Sequence, residues 1–360
     1  MSQSLISIMM PAYNAETYIG RAIESALAQT YSHWELIVVN DGSTDRTLEI
    51  VSRYNDVRIR VFNQLNGGEA QARNKALAHS QGKYIAFLDS DDEYLPEHLE
   101  LTVDFLDEHP EVDGVYTDGY YINETNKRLK PLSARRRGPL EGDIFEPMVR
   151  ASDVFGAPLC VVLKREPAAR RELAFDPQIV IGPDWDFLTA YSEQSYFGRI
   201  DQKTCLYRVH QKNISLQTNK NKRLDSLARC REKSVHMQRF GECSIETREY
   251  IFYDLLVNLL AGNISGQEAV ISWPQFSALP SSSKSRLYRL LASKVILDTG
   301  RSPHAQAWLR LAHEYAPQDK PALLLNFFYR INPGLCRTLL YLKHPRRTKL
   351  AALDPFADLG

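Results

Sequence analysis

"KYIAFLDSDDEYLPEHLELTVDFLDEH", residues 83–109, contains the structural unit that decides the fold. It begins with an apolar run typical of a buried strand, passes through a polar turn and ends in the apolar spacing of an amphipathic helix. Four acidic residues, Asp89, Asp91, Asp92 and Glu93, stand within five positions where the strand ends. Because like charges this close repel each other, the sequence predicts that a positive partner holds them together.

The same alternation of strand and helix occurs three times before this segment. Apolar runs at 5–13, 34–43 and 57–64 are each followed by a helical pattern, at 15–30, 44–54 and 69–81. Such alternation is typical of a parallel sheet covered on both faces. The sequence therefore predicts an α/β fold with a mostly parallel sheet and helices on both faces.

Polar clusters follow three of these strands. They read "PAYN" at 11–14, "NDGSTD" at 40–45 and "DSDD" at 89–92. In sheets of this kind the ligand crevice lies at the carboxyl ends of the strands. We therefore expect all three clusters to face one crevice.

The regular alternation of strand and helix patterns ends after residue 114. Strand patterns occur at 114–123 and 157–165, a helix opens within 182–194, and 196–215 is interpreted as two short strands and a loop. The basic segment 126–143 is interpreted as a loop, and mostly helical patterns follow from about residue 216. These patterns predict two domains, residues 1–215 and an all-helical C-terminal region of unknown role at residues 216–360.

Composition limits the function classes and the compartment. Lysine and arginine total 44, as do aspartate and glutamate, so the net charge of zero argues against a nucleic-acid partner. The five cysteines are widely spaced without a C-x-x-C pair, which indicates reduced thiols rather than disulfides or a zinc site. The N-terminal residues lack the pattern of a signal peptide, and no apolar stretch has the length of a membrane span. A cytoplasmic protein is the expectation.

The acidic cluster has two interpretations. An Asp-x-Asp pair at a strand end offers hard oxygen ligands to Mg²⁺ or Mn²⁺, which commonly share their coordination shell with substrate phosphates. The alternative is a solvated acidic turn in front of the helix that follows Pro96.

Six short motifs in order resemble those of the inverting family 2 glycosyltransferases, which have the GT-A fold. Besides the three clusters above, they are "NGGEAQARN" at 66–74, "GPDWDF" at 182–187 and "YRVHQKNIS" at 207–215, so the resemblance covers the first 215 residues. It implies transfer of a sugar from a nucleotide diphosphate donor, with UDP favoured, to a hydroxyl of a glycan or a lipid-linked acceptor. Mg²⁺ or Mn²⁺ would be the cofactor.

The resemblance also implies a role for each matching position. The residues that would contact the donor nucleotide are Pro11, Ala12, Tyr13 and Asn14 along the base and ribose, Asp41 at the base, Gly42 and Ser43 in the close turn, Arg73 on the nucleotide side and Asp89 near the ribose. Asp91 would ligate the metal, and His210 matches a position that meets the metal or the diphosphate. Each of these polar residues could instead be purely structural.

Asp184 matches the catalytic base of the family. Many members have Glu-Asp where this chain has Pro183-Asp184, and Asp186 lies two residues further on and competes for the role. The two positions point in different directions on a helix, so only one of them is expected to face the acceptor. Trp185 either stacks on a sugar or anchors the helix in the core.

Two functions of other classes stay open from the sequence. The first is a nucleotidyltransferase that makes a sugar nucleotide, although the opening segment does not resemble the Gly-rich phosphate loop of such enzymes. The second is a non-catalytic nucleotide-sugar-binding or scaffold protein.

Two basic segments raise further hypotheses. Arg135, Arg136 and Arg137 form either a solvated loop or a contact for an anionic acceptor. Residues 331–350 contain no acidic residue and interleave basic with apolar side chains, which fits either a packed terminal helix or weak peripheral contact with the inner face of a membrane. The sequence predicts no oligomeric state.

Overall fold

The protein, seen here in a computed structural model, is described for residues 3–138, 140–262 and 266–343. These residues form two compact units that divide between Thr218 and Asn219. Each unit is described by itself. The domain boundary near residue 216 stays a prediction.

The first unit alternates strands and helices along the chain. Its elements are β1 (Ile6–Ala12), α1 (Ile19–Leu27), β2 (Trp34–Asp41), α2 (Thr47–Val51), β3 (Ile59–Gln64), α3 (Glu69–His79), β4 (Tyr84–Phe87), β5 (Glu93–Tyr94), α4 (His98–Glu108), β6 (Gly114–Ile122), β7 (Arg128–Pro131), β8 (Gly142–Asp143), α5 (Phe145–Arg150), β9 (Val161–Lys164), α6 (Arg165–Arg170), α7 (Pro183–Ser192), β10 (Tyr196–Arg208) and α8 (Ile214–Gln217). The strands form one sheet in the order β3-β2-β1-β4-β9-β6-β10-β5, with β7 added on β6 and β8 on β10.

The first four strands of the sheet order are parallel, which confirms the predicted α/β fold. β1 pairs in parallel with both β2 and β4, and β2 pairs with β3. Helix α1 buries Ile19, Ile23 and Ala26 in the core beside β1 and β2. Burying an aliphatic side chain of this size stabilises the fold by about 1.5–3 kcal/mol. The parallel pairing brings the carboxyl ends of β1, β2 and β4 to one edge.

Two interpretations of the middle of the chain are wrong. Segment 126–143 is not simply a loop, because it contains β7, a 3-10 helix at Leu132–Arg135 and β8. Segment 196–208 is one strand rather than two, and its pairing with β6 is irregular between Arg199 and Cys205. That irregularity interrupts the alternation of side chains and explains why the sequence pattern suggests two strands.

The second unit is helical, as predicted. Its helices are α9 (Lys220–His236), α10 (Ile245–Ala261), α11 (Gln267–Ser272), α12 (Pro274–Ser277), α13 (Ser281–Thr299), α14 (Pro303–Tyr315), α15 (Lys320–Ile331) and α16 (Pro333–Lys343). Its core includes buried leucines of α10, α13 and α14, among them Leu256, Leu291 and Leu309.

The structure bears on two further expectations from composition. All five cysteines lie in the described part of the chain, where they are buried and joined by no disulfide. None of the helices within residues 3–138, 140–262 and 266–343 is long and apolar enough to cross a membrane.

Candidate active site

The ends of β1 and β2 are tied together by a reciprocal pair of hydrogen bonds. The amide of Asn14 donates to Ser43 Oγ at 3.0 Å, and the amide of Thr44 donates to Asn14 Oδ1 at 2.8 Å. Asn14 adopts a left-handed φ of 48°, which asparagine tolerates better than most residues. Two of the predicted nucleotide-binding residues, Asn14 and Ser43, therefore bond to each other, and Asn14 also accepts the bond from Thr44.

The remainder of "PAYN" divides into buried and exposed side chains. Pro11 and Ala12 are buried in β1, opposite Val39 and Asn40 of β2. Tyr13 is exposed at the strand end. Among these three residues, only Tyr13 has an exposed side chain.

Asp41 is buried and holds the loop before α3. Its Oδ1 accepts hydrogen bonds from Gln64 Nε2 and the amide of Gly67, and its Oδ2 accepts one from the amide of Gly68, each at 2.8 Å. A carboxylate has about four acceptor sites, so a further bond to a base amino group remains available in principle. The three bonds seen here make Asp41 the organiser of this loop.

Position 42 favours glycine because of its backbone angle and its close neighbours. Its φ is +71°, and a Cβ placed on it would lie 2.8 Å from the backbone nitrogen of Asn66. A side chain would therefore push apart the end of β2 and the loop that Asp41 holds.

Arg73 is the positively charged partner of Asp89, the first acidic residue of the cluster. It is only 1% exposed, donates to Asp89 Oδ1 at 2.7 Å, and its other terminal nitrogen lies 2.8 Å from Glu69 Oε1. Burial raises the pKa of both carboxyls, and the negative charge of Asp184 adds to the rise. Glu69, on the first turn of α3, belongs to this site although the sequence analysis did not single it out within "NGGEAQARN".

Arg208, at the end of β10, is the second cation of the acidic cluster. Its side chain is fully buried, and its Nε donates to the backbone oxygen of Asp91 at 2.9 Å. Its terminal nitrogens donate to Glu93 and to Asn126, and its backbone amide donates to Asp92 Oδ1 at 2.8 Å. The segment 91–93 is thus fixed by one arginine that sequence analysis missed within "YRVHQKNIS".

Asp91 and His210 are in direct contact. The Oδ2 of Asp91 lies 2.9 Å from His210 Nε2, while the amide of Lys212 donates to His210 Nδ1 at 3.2 Å. Asn213 Nδ2 also reaches Asp91 Oδ2, at 3.4 Å. The bond from Lys212 favours a neutral imidazole with its proton on Nε2, which donates to Asp91.

The carboxyl of Asp184 shares the environment of Arg73. Asp184 is half-buried near the start of α7, and its charge acts on Glu69, Arg73 and Asp89. Asp186 is only 3% exposed. The two positions therefore differ in exposure, and Asp184 is the more exposed of the two.

Trp185 belongs to the core. It is buried, and its Nε1 donates to the backbone oxygen of Met148 at 2.8 Å. The interpretation of Trp185 as an anchor of α7 is the one that the structure bears out.

The three consecutive arginines do not form one solvated basic loop. Arg136 is buried, donates to the backbone oxygens of Thr117 and Phe155 at 2.8 and 2.7 Å, and lies over the ring of Tyr116. Arg137 is exposed and pairs with Asp153 at 2.7 Å. Neutralising all three arginines would remove the buried contacts of Arg136 and damage the fold. A triple variant therefore cannot test whether this segment contacts an acceptor.

Comparison with known proteins identifies the family. Residues 7–169 match the family described as glycosyl transferase family 2. EpsJ of Bacillus subtilis (strain 168), an uncharacterized glycosyltransferase, is 30% identical over 268 residues, which cover 71% of this chain and 77% of EpsJ. The chain belongs to glycosyltransferase family 2.

Other glycosyltransferases are similar over shorter regions. WfgD of Escherichia coli, a UDP-Glc:alpha-D-GlcNAc-diphosphoundecaprenol beta-1,3-glucosyltransferase, is 45% identical over 107 residues, 29% of this chain and 42% of WfgD. An uncharacterized glycosyltransferase of Rickettsia bellii is 32% identical over 218 residues, 60% of this chain and 30% of that protein. The chain thus spans less than half the length of both of these relatives.

Solved structures support the GT-A fold of this family 2 chain. TarS residues 1–349 of S. aureus, in complex with UDP, align with a TM-score of 0.54 at 18% identity, covering 91% of each chain. The mannosyltransferase PcManGT of Pyrobaculum calidifontis, in complex with GDP-Man and Mn²⁺, aligns with a TM-score of 0.50 at 19% identity, covering 94% of this chain and 88% of that one.

Proposed function

We propose that this protein is an inverting, divalent-metal-dependent glycosyltransferase. It moves a sugar from a nucleotide diphosphate donor, with UDP favoured, to a hydroxyl of a glycan or a lipid-linked acceptor. One observation carries the proposal: Arg73 holds Asp89 at 2.7 Å, close to Asp91 and just after the end of β4, and the charge of Asp184 acts on both Arg73 and Asp89. Residues 1–215 are the proposed glycosyltransferase domain.

The comparisons support the substrate classes without fixing them. WfgD is named for a UDP-glucose donor and a diphosphoundecaprenol-linked acceptor. TarS has been solved with UDP and with UDP-GlcNAc, and PcManGT with GDP-Man. A uridine nucleotide is named for two of these three proteins, so a UDP-sugar is our first choice of donor.

The site also suits a divalent cation that is shared with a substrate. Within residues 3–138, 140–262 and 266–343, no three His, Cys, Asp or Glu side chains are grouped to hold a metal ion by themselves. Asp91 is partly exposed and offers a hard carboxylate ligand, and Mg²⁺ and Mn²⁺ commonly complete their shell with phosphates and waters. We propose that Asp91 holds the ion.

His210 is the proposed second metal ligand, on one condition. Its Nε2 now faces Asp91, and coordination through that atom requires the imidazole proton on Nδ1. The ring would then give up the 3.2 Å bond from the amide of Lys212. When bound, the cation neutralises charge that grows on the leaving diphosphate.

The residues of the chain do the rest of the chemistry. Asp184 accepts the proton of the acceptor hydroxyl as that oxygen forms its bond to the anomeric carbon. The bond from the anomeric carbon to the diphosphate breaks in the same step, which inverts the carbon and releases the nucleotide diphosphate. Arg73 and Arg208 keep the carboxylates 89–93 in place throughout, because both arginines are buried and bonded to this segment.

The experiment is a donor screen with a matched variant. Release of nucleotide diphosphate is measured from UDP- and GDP-sugars with Mn²⁺, in water and with candidate acceptors, for the unchanged protein and for Asp91→Asn. We expect release from at least one UDP-sugar and no metal-dependent release by the variant. Absence of release from every donor would favour a binding protein, and formation of a sugar nucleotide from a sugar 1-phosphate and UTP would favour the nucleotidyltransferase.

A further inference from the structure

The last two helices of the second unit expose apolar stripes. The large apolar side chains concerned are Leu323, Leu324, Phe327 and Ile331 on α15 and Leu335, Leu339 and Leu342 on α16, called the terminal apolar surface below. Exposure reaches 58% at Phe327 and 73% at Leu342. Such side chains are normally covered in a soluble protein when several of them lie together.

Each stripe follows helical spacing. Positions 323, 327 and 331 are four residues apart, and positions 335, 339 and 342 are four and three apart, so each set lies on one face of its helix. Other sides of the two helices are packed, since Ala322, Tyr329, Cys336 and Leu340 are buried. The exposed stripes are therefore additional apolar faces, beyond those that the core of the unit uses.

The formal charges on α15 and α16 have one sign. Between residues 320 and 353 the sequence has no aspartate or glutamate, and within α15 and α16 it has Lys320, Arg330, Arg337 and Lys343. Elsewhere the unit mixes signs on its exposed faces, as in the Arg310–Glu314 pair of α14. The basic positions Arg346, Arg347 and Lys349 of the same segment, and Pro345 before them, lie outside the described residues.

We propose that the terminal apolar surface docks on an anionic lipid membrane. Apolar side chains beside basic ones, with no acidic residue among them, are the combination that places a helix in the interface of such a membrane. The helices are 12 and 11 residues long, too short to cross a bilayer, so they would lie on it. The proposal does not rest on the proposed function, although it would bring the enzyme to a lipid-linked acceptor.

The charge argues against a second copy of the chain as the occupant. A two-fold contact through this surface would place the acid-free helices of one copy against those of the other, and their like charges would repel. An anionic membrane offers the complementary charge and accepts the apolar stripes at the same time.

The test is co-sedimentation of the full chain with lipid vesicles. Phosphatidylcholine vesicles are compared with vesicles containing about one third phosphatidylglycerol, at low and high salt, for the unchanged protein and for Phe327→Glu combined with Leu342→Glu. The control is Val57→Glu combined with Leu65→Glu, which places the same charges at apolar positions of the first unit that are even more exposed, at 98% and 92%. Phe327→Glu combined with Leu342→Glu is called the stripe variant. We expect its binding to the anionic vesicles to fall about tenfold or more, and we expect the control variant to bind like the unchanged protein.

Several results would overturn the proposal. They are no binding of the unchanged protein to anionic vesicles at low salt, equal binding of the stripe variant, or a dimer in light scattering that the stripe variant dissociates. Helical content by circular dichroism shows whether the variant folds, and Leu324→Ser with Leu335→Ser replaces it if it does not. UDP binding measured without lipid reports separately on the proposed function.

Discussion

Two buried arginines supply the positive charge that the acidic segment 89–93 needs. Arg73 neutralises Asp89, and Arg208 holds Glu93 and the backbone of Asp91. The sequence analysis predicted a positive partner but offered only a cation from solution. It could not find Arg208, because Glu93 and Arg208 are 115 positions apart and no local pattern indicates their pairing.

The sequence carried more information about the polar strand ends than about their partners. The residues "PAYN", "NDGSTD" and "DSDD" do meet at one edge, because parallel pairing puts the ends of β1, β2 and β4 together. What the side chains do there was not predictable, since Asn14 and Asp41 bond to the protein itself. Their roles toward a nucleotide stay predictions.

Asp184 is the first residue to test in catalysis. Asp184→Asn keeps the shape of the side chain and removes its ability to accept a proton, so we expect turnover to fall by about two orders of magnitude or more. UDP affinity, measured by calorimetry with Mn²⁺, should change little. Asp186→Asn is the comparison: if it lowers turnover equally while the fold is intact, the base is Asp186.

Arg73 is expected to be essential for stability as well as for the site. Arg73→Met would leave Glu69 and Asp89 together without their shared cation, so we expect a loss of about 3–5 kcal/mol in the free energy of unfolding. The control is Arg46→Met, which breaks an exposed pair with Glu16 and should change this free energy far less. Urea unfolding measures both, and equal losses would contradict the role given to Arg73.

At the scale of elements, the regular half of the sheet was predictable and the irregular half was not. Each of β1 to β4 is a short apolar run before a helix, and the pattern is visible in the sequence. By contrast, β9 inserts antiparallel between β4 and β6, and β10 pairs with β6 through a shifted register. Both features depend on contacts between distant segments, which a local periodicity does not contain.

The turn after β2 allows a matched test of one backbone position. Gly42→Ala places a methyl group against the backbone of Asn66, whereas Gly68→Ala has a similar positive φ, +85°, and open space around it. Both substitutions also carry a conformational cost, on the order of 1–3 kcal/mol each, because both glycines have a positive φ. Gly42→Ala alone should displace the loop that Asp41 holds and weaken UDP binding further. Equal UDP affinities of the two variants would show that this contact does not matter.

At the scale of the whole molecule, the first unit joins its elements through a polar group buried in its core. His98, the first residue of α4, is fully buried, lies 2.8 Å from Thr204 Oγ1 of β10 through its Nδ1, and stacks on Tyr94 of β5. Thr204 in turn donates to Thr117 of β6 at 2.8 Å. Burial lowers the pKa of His98 to about 3, so the imidazole is neutral in the folded protein.

This histidine should make the unit sensitive to acid. Unfolding restores an ordinary histidine pKa near 6.5, so between pH 6.5 and pH 3 the unfolded state binds one more proton than the folded state. The stability from His98 is therefore complete above pH 6.5 and falls by about 1.4 kcal/mol per pH unit below it. Hydrogen exchange of peptides from β6 and β10, followed from pH 7 to pH 5 and corrected for the intrinsic exchange rate, measures this slope. His98→Gln should flatten the slope, while His33→Gln, a change at an exposed histidine of the same unit, should keep it. An unchanged slope in His98→Gln would assign the acid sensitivity to other groups.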